Sequence, residues 1–426
     1  MSEDRKLILK MLQENRITIE EAERLLKATE GGGSSGSRRP EDTLYDRTAP
    51  KVEQFVSSLS SMFDTVSQQL GPNLEKRFEG WFQQKKTSTD GPSDVPPADT
   101  FETQRRDEQV IPLESNIKKI KALYTLGDVS VTSHPGENIH VTLEKRIYSE
   151  RVEDKLKYED LALESHTEGD TLFLKLGDHD NLQPSKHAEI HLTLQVPASL
   201  DLELATEKHD ISLDQWSHTQ GQVHLRSGSG DLNLQNVALR AVDLETQSGS
   251  VTAEQASEVL EIKTRSGDIM LSGSVYKGQV STASGHVNVR ASVLQQLKAE
   301  GSSSDLQIHL LDGQGGVNLE TRSGDIELSG ALHGETVLNS ASGDLQCDIV
   351  VHPQAVVSLT SHSGDIDLIV QPESQCQVEM EARTGDIESR LDLSDKQVSE
   401  HALKGKLGSG EGVIKASTQS GDILLS

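Results

Sequence analysis

Aromatic side chains are nearly missing: Phe, Tyr and Trp together make up 3% of 426 residues. Any core must therefore be aliphatic, without large rings as anchors. Cysteine is reduced to Cys347 and Cys376, with no CxxC spacing. That excludes a disulfide-stapled scaffold and the zinc-finger patterns. Both cysteines alternate with apolar residues and read as small core thiols. No apolar run reaches about 18 residues, so a spanning helix is not expected. The start, Met1 to Arg5, lacks the apolar core of a secretory signal, so the expected location is the cytoplasm. Basic residues are in deficit, 41 against 68 acidic, giving a formal charge of −27. Such a surface repels nucleic acid, which is not an expected partner.

What the chain does have is a repeat. Residues 321–328 read T-R-S-G-D-I-E-L, residues 264–271 T-R-S-G-D-I-M-L, and residues 418–425 T-Q-S-G-D-I-L-L. Their corners are Gly324-Asp325, Gly267-Asp268 and Gly421-Asp422. Looser copies carry Gly230-Asp231, Gly249-Ser250, Gly285-His286, Gly343-Asp344, Gly364-Asp365 and Gly385-Asp386. In Ser304-Asp305 a serine replaces the glycine. The marks recur about every 18–21 residues, the signature of stacked units that cannot bury an apolar face alone.

One unit shows why the chain turns there. Val317, Leu319 and Thr321 precede the corner, and Ile326 and Leu328 follow it. The inward positions change from odd to even across Gly324. A straight strand cannot do that, because successive side chains point to opposite faces. Glycine permits a corner, and Ser323 or Asp325 can bond backbone freed by it. The expected fold is mainly β: a β-solenoid of about ten ~19-residue rungs with Ser-Gly-Asp corners. At ~4.8 Å per rung the rod would be about 50 Å long.

A small α-helical region precedes it. Residues 1–29 read as a helical hairpin, with a capping box at Thr18-Ile19-Glu20-Glu21. Residues 30–50 are a Gly/Ser-rich linker, 51–86 an amphipathic helical segment, and 87–109 a Pro-rich linker. The β domain spans 110–426: an irregular cap over 110–205, then regular repeats over 206–426. A short helix or an edge excursion is expected at 151–163, and an insertion or degenerate rung at 394–412. Segment 51–86 concentrates Phe55, Phe63, Phe78, Trp81 and Phe82 beside Lys85 and Lys86. Aromatics next to lysines suit either a membrane surface or docking on another helix.

Chemistry is sparse. A column of corner carboxylates invites Ca²⁺, but such a site needs several convergent oxygens per ion, and Ser250 and His286 interrupt it. Turn stabilisation is the better reading. His187 and His191 have zinc spacing, but with Glu189 they share the polar face of a strand and lack a third ligand. Neither Gly31–Gly33 nor Gly228–Gly230 has the context of a phosphate loop. No Ser-His-Asp or Cys-His set stands out. A β-helix polysaccharide lyase would want aromatic sugar platforms, which the rungs lack. No enzyme activity, cofactor or metal is expected.

The repeated T-x-S-G-D-I-x-L, entered through Leu194 to Leu204, resembles the bacterial adhesin-like domain of unknown function found in YvlB- and LiaX-like proteins. Residues 8–26 are similar to the SHOCT-like hairpin that precedes that domain. The resemblance implies a β-solenoid, a Gram-positive source and a non-enzymatic scaffold or sensor in the envelope stress response. It implies protein partners from that system and no catalytic residues. Peripheral contact with the inner membrane face through 51–86, a homo-oligomer, and a surface adhesin or peptide-binding role are the further expectations.

Overall fold

The computed structural model describes residues 103–124, 126–148, 152–177 and 188–426. The chain divides into two units, Met1–Val95 and Pro96–Ser426. All described residues belong to the second. The expected hairpin, the 30–50 linker, the 51–86 segment and the 87–109 linker up to residue 102 lie outside the described residues. Among the described residues, no helix is long and apolar enough to cross a membrane.

The second unit is a parallel β-solenoid. Each coil contributes two strands, and equivalent residues stack in register. Ile326 lies over Leu345, and Leu328 over Cys347. Val317 and Leu319 stack in the companion sheet. The change of parity is real: Val317, Leu319 and Thr321 are buried before the corner, Ile326 and Leu328 after it. The core is a continuous, mainly aliphatic column; among the described residues its buried rings are Tyr124, Tyr158 and Trp216. Burying each Ile, Leu or Val contributes about 1.5–3 kcal/mol.

The winding makes about eight turns, not ten. Corners follow one another in chain order from Asp210 to Asp365, at spacings of 18 to 21 residues. The copies at Gly385 and Gly421 do not extend that series. Strands Gly412–Ser420 and Ile423–Leu425 sit between two coils made earlier in the chain. One is Val356–Ser363 with Ile366–Val370; the other is Cys376–Ala382 with Ile387–Ser389. The opposite end repeats the arrangement. Lys119–Tyr124 and Val129–His134 lie between Thr171–Leu176 with Ala188–Pro197 and Asp201–Thr206 with the start of Ile211–Ser227.

Antiparallel strands close both ends. Thr103–Pro112 pairs with Asn138–Ile147, and Leu163–Glu168 with Thr171–Leu176. The first of these starts inside the stretch read as a linker. Its side chains are mostly exposed, so it carries no apolar alternation to betray it. The helix expected within 151–163 is Val152–Glu159. Lys145 holds its end: the fully buried ammonium donates to the Glu159 carbonyl at 2.6 Å and pairs with Asp107 at 2.6 Å. Burial raises the Asp107 pKa, but Lys145 and Arg105 more than offset it and hold the carboxyl below the ordinary aspartate value. At the far end, 394–412 is no rung. It holds the hairpin Ser394–Val398 and Ala402–Leu407, packed antiparallel on Cys376–Ala382.

Candidate functional site

The Ser-Gly-Asp corners line up along one edge. There the corner aspartates, Asp386 at the end of the row excepted, each accept from the coil beside them. Asp325 Oδ1 accepts the backbone N–H of Asp344 at 2.8 Å, and Asp344 Oδ1 that of Asp365 at 2.8 Å. Asp365 accepts from Asp422 at 2.7 Å, and Asp422 from Asp386 at 2.8 Å. Asp128, Asp210, Asp231, Asp268 and Asp305 do the same. A second row lies beneath. Thr246 Oγ1 donates to the Gly230 carbonyl at 3.2 Å and accepts from Gly249 N–H at 3.1 Å. Thr264, Thr321, Ser361 and Thr418 donate likewise to the neighbouring corner. One oxygen of each carboxylate thus satisfies backbone that a bend takes out of the sheet ladder. Among the described residues, no three His, Cys, Asp or Glu side chains converge so as to hold a metal ion.

Asp325→Ala is expected to cost about 1 kcal/mol, as loss of a helix cap does. Asp325→Asn, which keeps the acceptor, is expected to cost less than half as much. Urea unfolding of the pair measures the difference.

At Ser304 the corner is built differently. Its side chain is buried, and Gly301 stands where the next coil has Thr321. A Cβ on Gly301 would lie 2.8 Å from the Ser304 Cβ. The missing threonine side chain therefore leaves room for the serine that replaces the corner glycine.

One outward sheet face carries paired charges. Lys121 contacts Glu203, Lys263 contacts Glu261, Lys298 contacts Glu300, and Arg226 meets Glu245 at 2.9 Å. His224 Nδ1 lies 2.6 Å from Asp243. Desolvation raises the Asp243 pKa, but the His224 hydrogen bond and the charges of Lys263 and Arg226 bring it below the ordinary value. This pair borders a recess of about 250 Å³ lined by Lys119, Asp201, Gln222 and Glu261. A His-Asp pair orients a base, yet the recess lining offers no hydroxyl or thiol for it to activate.

Near the solenoid start, Asp128 serves two histidines. His191 Nδ1 lies 3.3 Å from one oxygen and His209 Nδ1 3.8 Å from the other. The Asp128 hydrogen bond raises the His191 pKa above 6.5, whereas burial lowers that of His209 below it. NMR titration should therefore show His209 losing its proton at lower pH than His191. Asp128→Asn should lower the His191 midpoint. His187, the other half of the zinc spacing, lies outside the described residues.

Midway round four successive coils, Val259, Tyr276, Leu294 and Leu311 stand 46–58% exposed. Sequence reading did not single them out, because an isolated outward apolar residue on a strand carries no signal of its own. Phe55, Phe63, Phe78, Trp81, Phe82, Lys85 and Lys86 all lie outside the described residues. Cys347 and Cys376 are free and buried.

Fold and surface together define a parallel β-solenoid whose corner carboxylates serve its own backbone. The chain belongs to the Toastrack DUF4097 family, which matches residues 117–330 and 279–426. No curated protein matches it. Among solved structures, it is similar to a putative cell adhesion protein from Clostridium sporogenes, at 9% identity and TM-score 0.18. That match covers 75% of this chain and 99% of the other. A putative adhesin from Bacteroides fragilis aligns at 11% identity and TM-score 0.26, covering 77% and 99%. A putative lipid binding protein from Parabacteroides distasonis aligns at 12% and 0.27, covering 75% and 96%.

Proposed function

We propose that this protein is a non-catalytic scaffold or sensor of the bacterial cell-envelope stress response, working at the inner face of the membrane. The solenoid is its rigid binding element, and residues 51–86 bring it to a protein partner or to the lipid surface. One observation supports this reading above the rest. The repeated polar groups of the corners are engaged with the next coil's backbone, and the largest charged rows are paired with each other. Outward on four consecutive coils are the apolar side chains Val259, Tyr276, Leu294 and Leu311, of which Tyr276 and Leu294 fall at the same place in neighbouring strands. Such side chains offer apolar contact area to a protein.

Two measurements test it. Full-length protein is mixed with vesicles of anionic and of neutral lipid and floated, beside a Trp81→Ser/Phe82→Ser variant. The membrane part predicts flotation with anionic vesicles that the variant loses; equal, poor flotation of both removes it. Protease treatment of intact cells addresses location. Protection supports the inner-face reading, and rapid loss favours a surface adhesin instead.

A further inference from the structure

The segment 412–426 occupies a slot that other parts of the chain create and leave open. Val356–Ser363 and Cys376–Ala382 do not pair with each other; Gly412–Ser420 lies between them, Ile414 in register with Val357 on one side and Val378 on the other. Ile423–Leu425 fills the matching gap between Ile366–Val370 and Ile387–Ser389. The corner chemistry continues across the insert: Asp422 N–H donates to Asp365 at 2.7 Å, and Asp386 N–H to Asp422 at 2.8 Å. Thr418 Oγ1 reaches the Gly364 carbonyl at 3.1 Å. The slot thus reads a strand–corner–strand of this chain's own pattern on both faces.

The connection into the slot is tight. Leu407 and Gly412 flank Cys376 on opposite sides. Residues 408–411 must therefore cross about two strand spacings, roughly 10 Å, over the end of a strand. Gly408 and Gly410 do so at φ +61° and +71°, pinned by Ser409 to Gln375 at 2.7 Å and by Gln377 to the Gly410 carbonyl at 3.0 Å. A short hinge next to a separable element favours exchange between copies, because every contact outside the hinge is reproduced.

We infer that the slot accepts residues 412–426 of a second copy of this chain, joining two solenoids by strand exchange. The occupant is a second copy because the register, the corner acceptors and the inward Ile414, Ile423 and Leu425 that the slot fits are this chain's own. In dilute solution a chain's own segment fills the slot, since tethering gives it an effective concentration of about millimolar. Crowding of copies on a surface shifts the balance toward exchange. Reciprocal exchange closes a dimer; one-way exchange leaves an open slot for the next copy.

Cross-linking of full-length chains tests this. Ser358 and Lys415 are register partners across the insert. Full-length Ser358→Cys and Lys415→Cys chains, differently tagged, are mixed at rising concentration under mild oxidation. The native thiols do not compete, since burial pushes Cys347 up to about 12 and Cys376 up to about 11. The expected result is a covalent product carrying both tags, increasing at least tenfold with concentration. A mixture of Ser358→Cys with Ser417→Cys, two residues out of register, should give none. The Ser358→Cys/Lys415→Cys chain, bridged internally, shows that the pair can close. No mixed product when that control closes, or equal product from both mixtures, overturns the inference.

Discussion

Gly343→Ala is expected to destabilise the solenoid by about 3 kcal/mol or more. Gly343 has φ +154°, where a side chain is strained, and a Cβ on it would overlap the Gly324 carbonyl group of the neighbouring coil, 2.6 Å from its carbon. Neither side can yield cheaply. The obstruction is backbone, and that backbone is held by Ser340 Oγ and by Gly324 N–H donating to Ser342 O at 3.1 Å. Gly169 is the internal comparison. It also has positive φ, +64°, yet nothing lies within 4 Å of its added Cβ. Gly169→Ala should therefore cost only the backbone strain, about 1 kcal/mol. Chemical unfolding of the two variants compares a glycine that is both strained and crowded with one that is strained only. Equal costs would show that the neighbouring coil's backbone adds nothing to the cost at Gly343.

Removal of residues 412–426 is expected to have the other large effect. Ile414, Ile423 and Leu425 are buried at 1% exposure or less, so their combined burial contributes several kcal/mol, about 1.5–3 each. Two strand edges also lose their ladders. In a quasi-one-dimensional stack, stability is set by nearest neighbours, so the damage should stay local. Residues 371–411 are expected to become the first site of proteolysis and to lose hydrogen-exchange protection. Coils from Ile211 to Val370 should keep theirs. Uniform loss of protection would mean that the stack behaves as one cooperative unit.

Much of this was readable in advance. The parity change around Gly324, the inward Ile326 and Leu328, and the aliphatic core followed from period-two alternation, which needs no knowledge of neighbours. The corner aspartates were recognisable as turn residues, but their acceptance of the next coil's N–H was not, because that bond spans about one repeat. Strand Thr103–Pro112 escaped notice because its outward polar residues look like linker. The exposed Val259, Tyr276, Leu294 and Leu311 escaped because single outward apolar residues on strands form no pattern in the sequence.

By itself the amino-acid sequence determined what one coil is: where it bends, which side chains face inward, and that it must stack. Tertiary structure alone decided which coil lies next to which. Every copy of T-x-S-G-D-I-x-L presents the same ladder and the same corner acceptor, so the motif cannot name its neighbour. The order is settled by which edges the antiparallel end strands leave unpaired. That is why 412–426 returns to the slot beside 356–370 and the winding makes about eight turns where counting motifs gives ten.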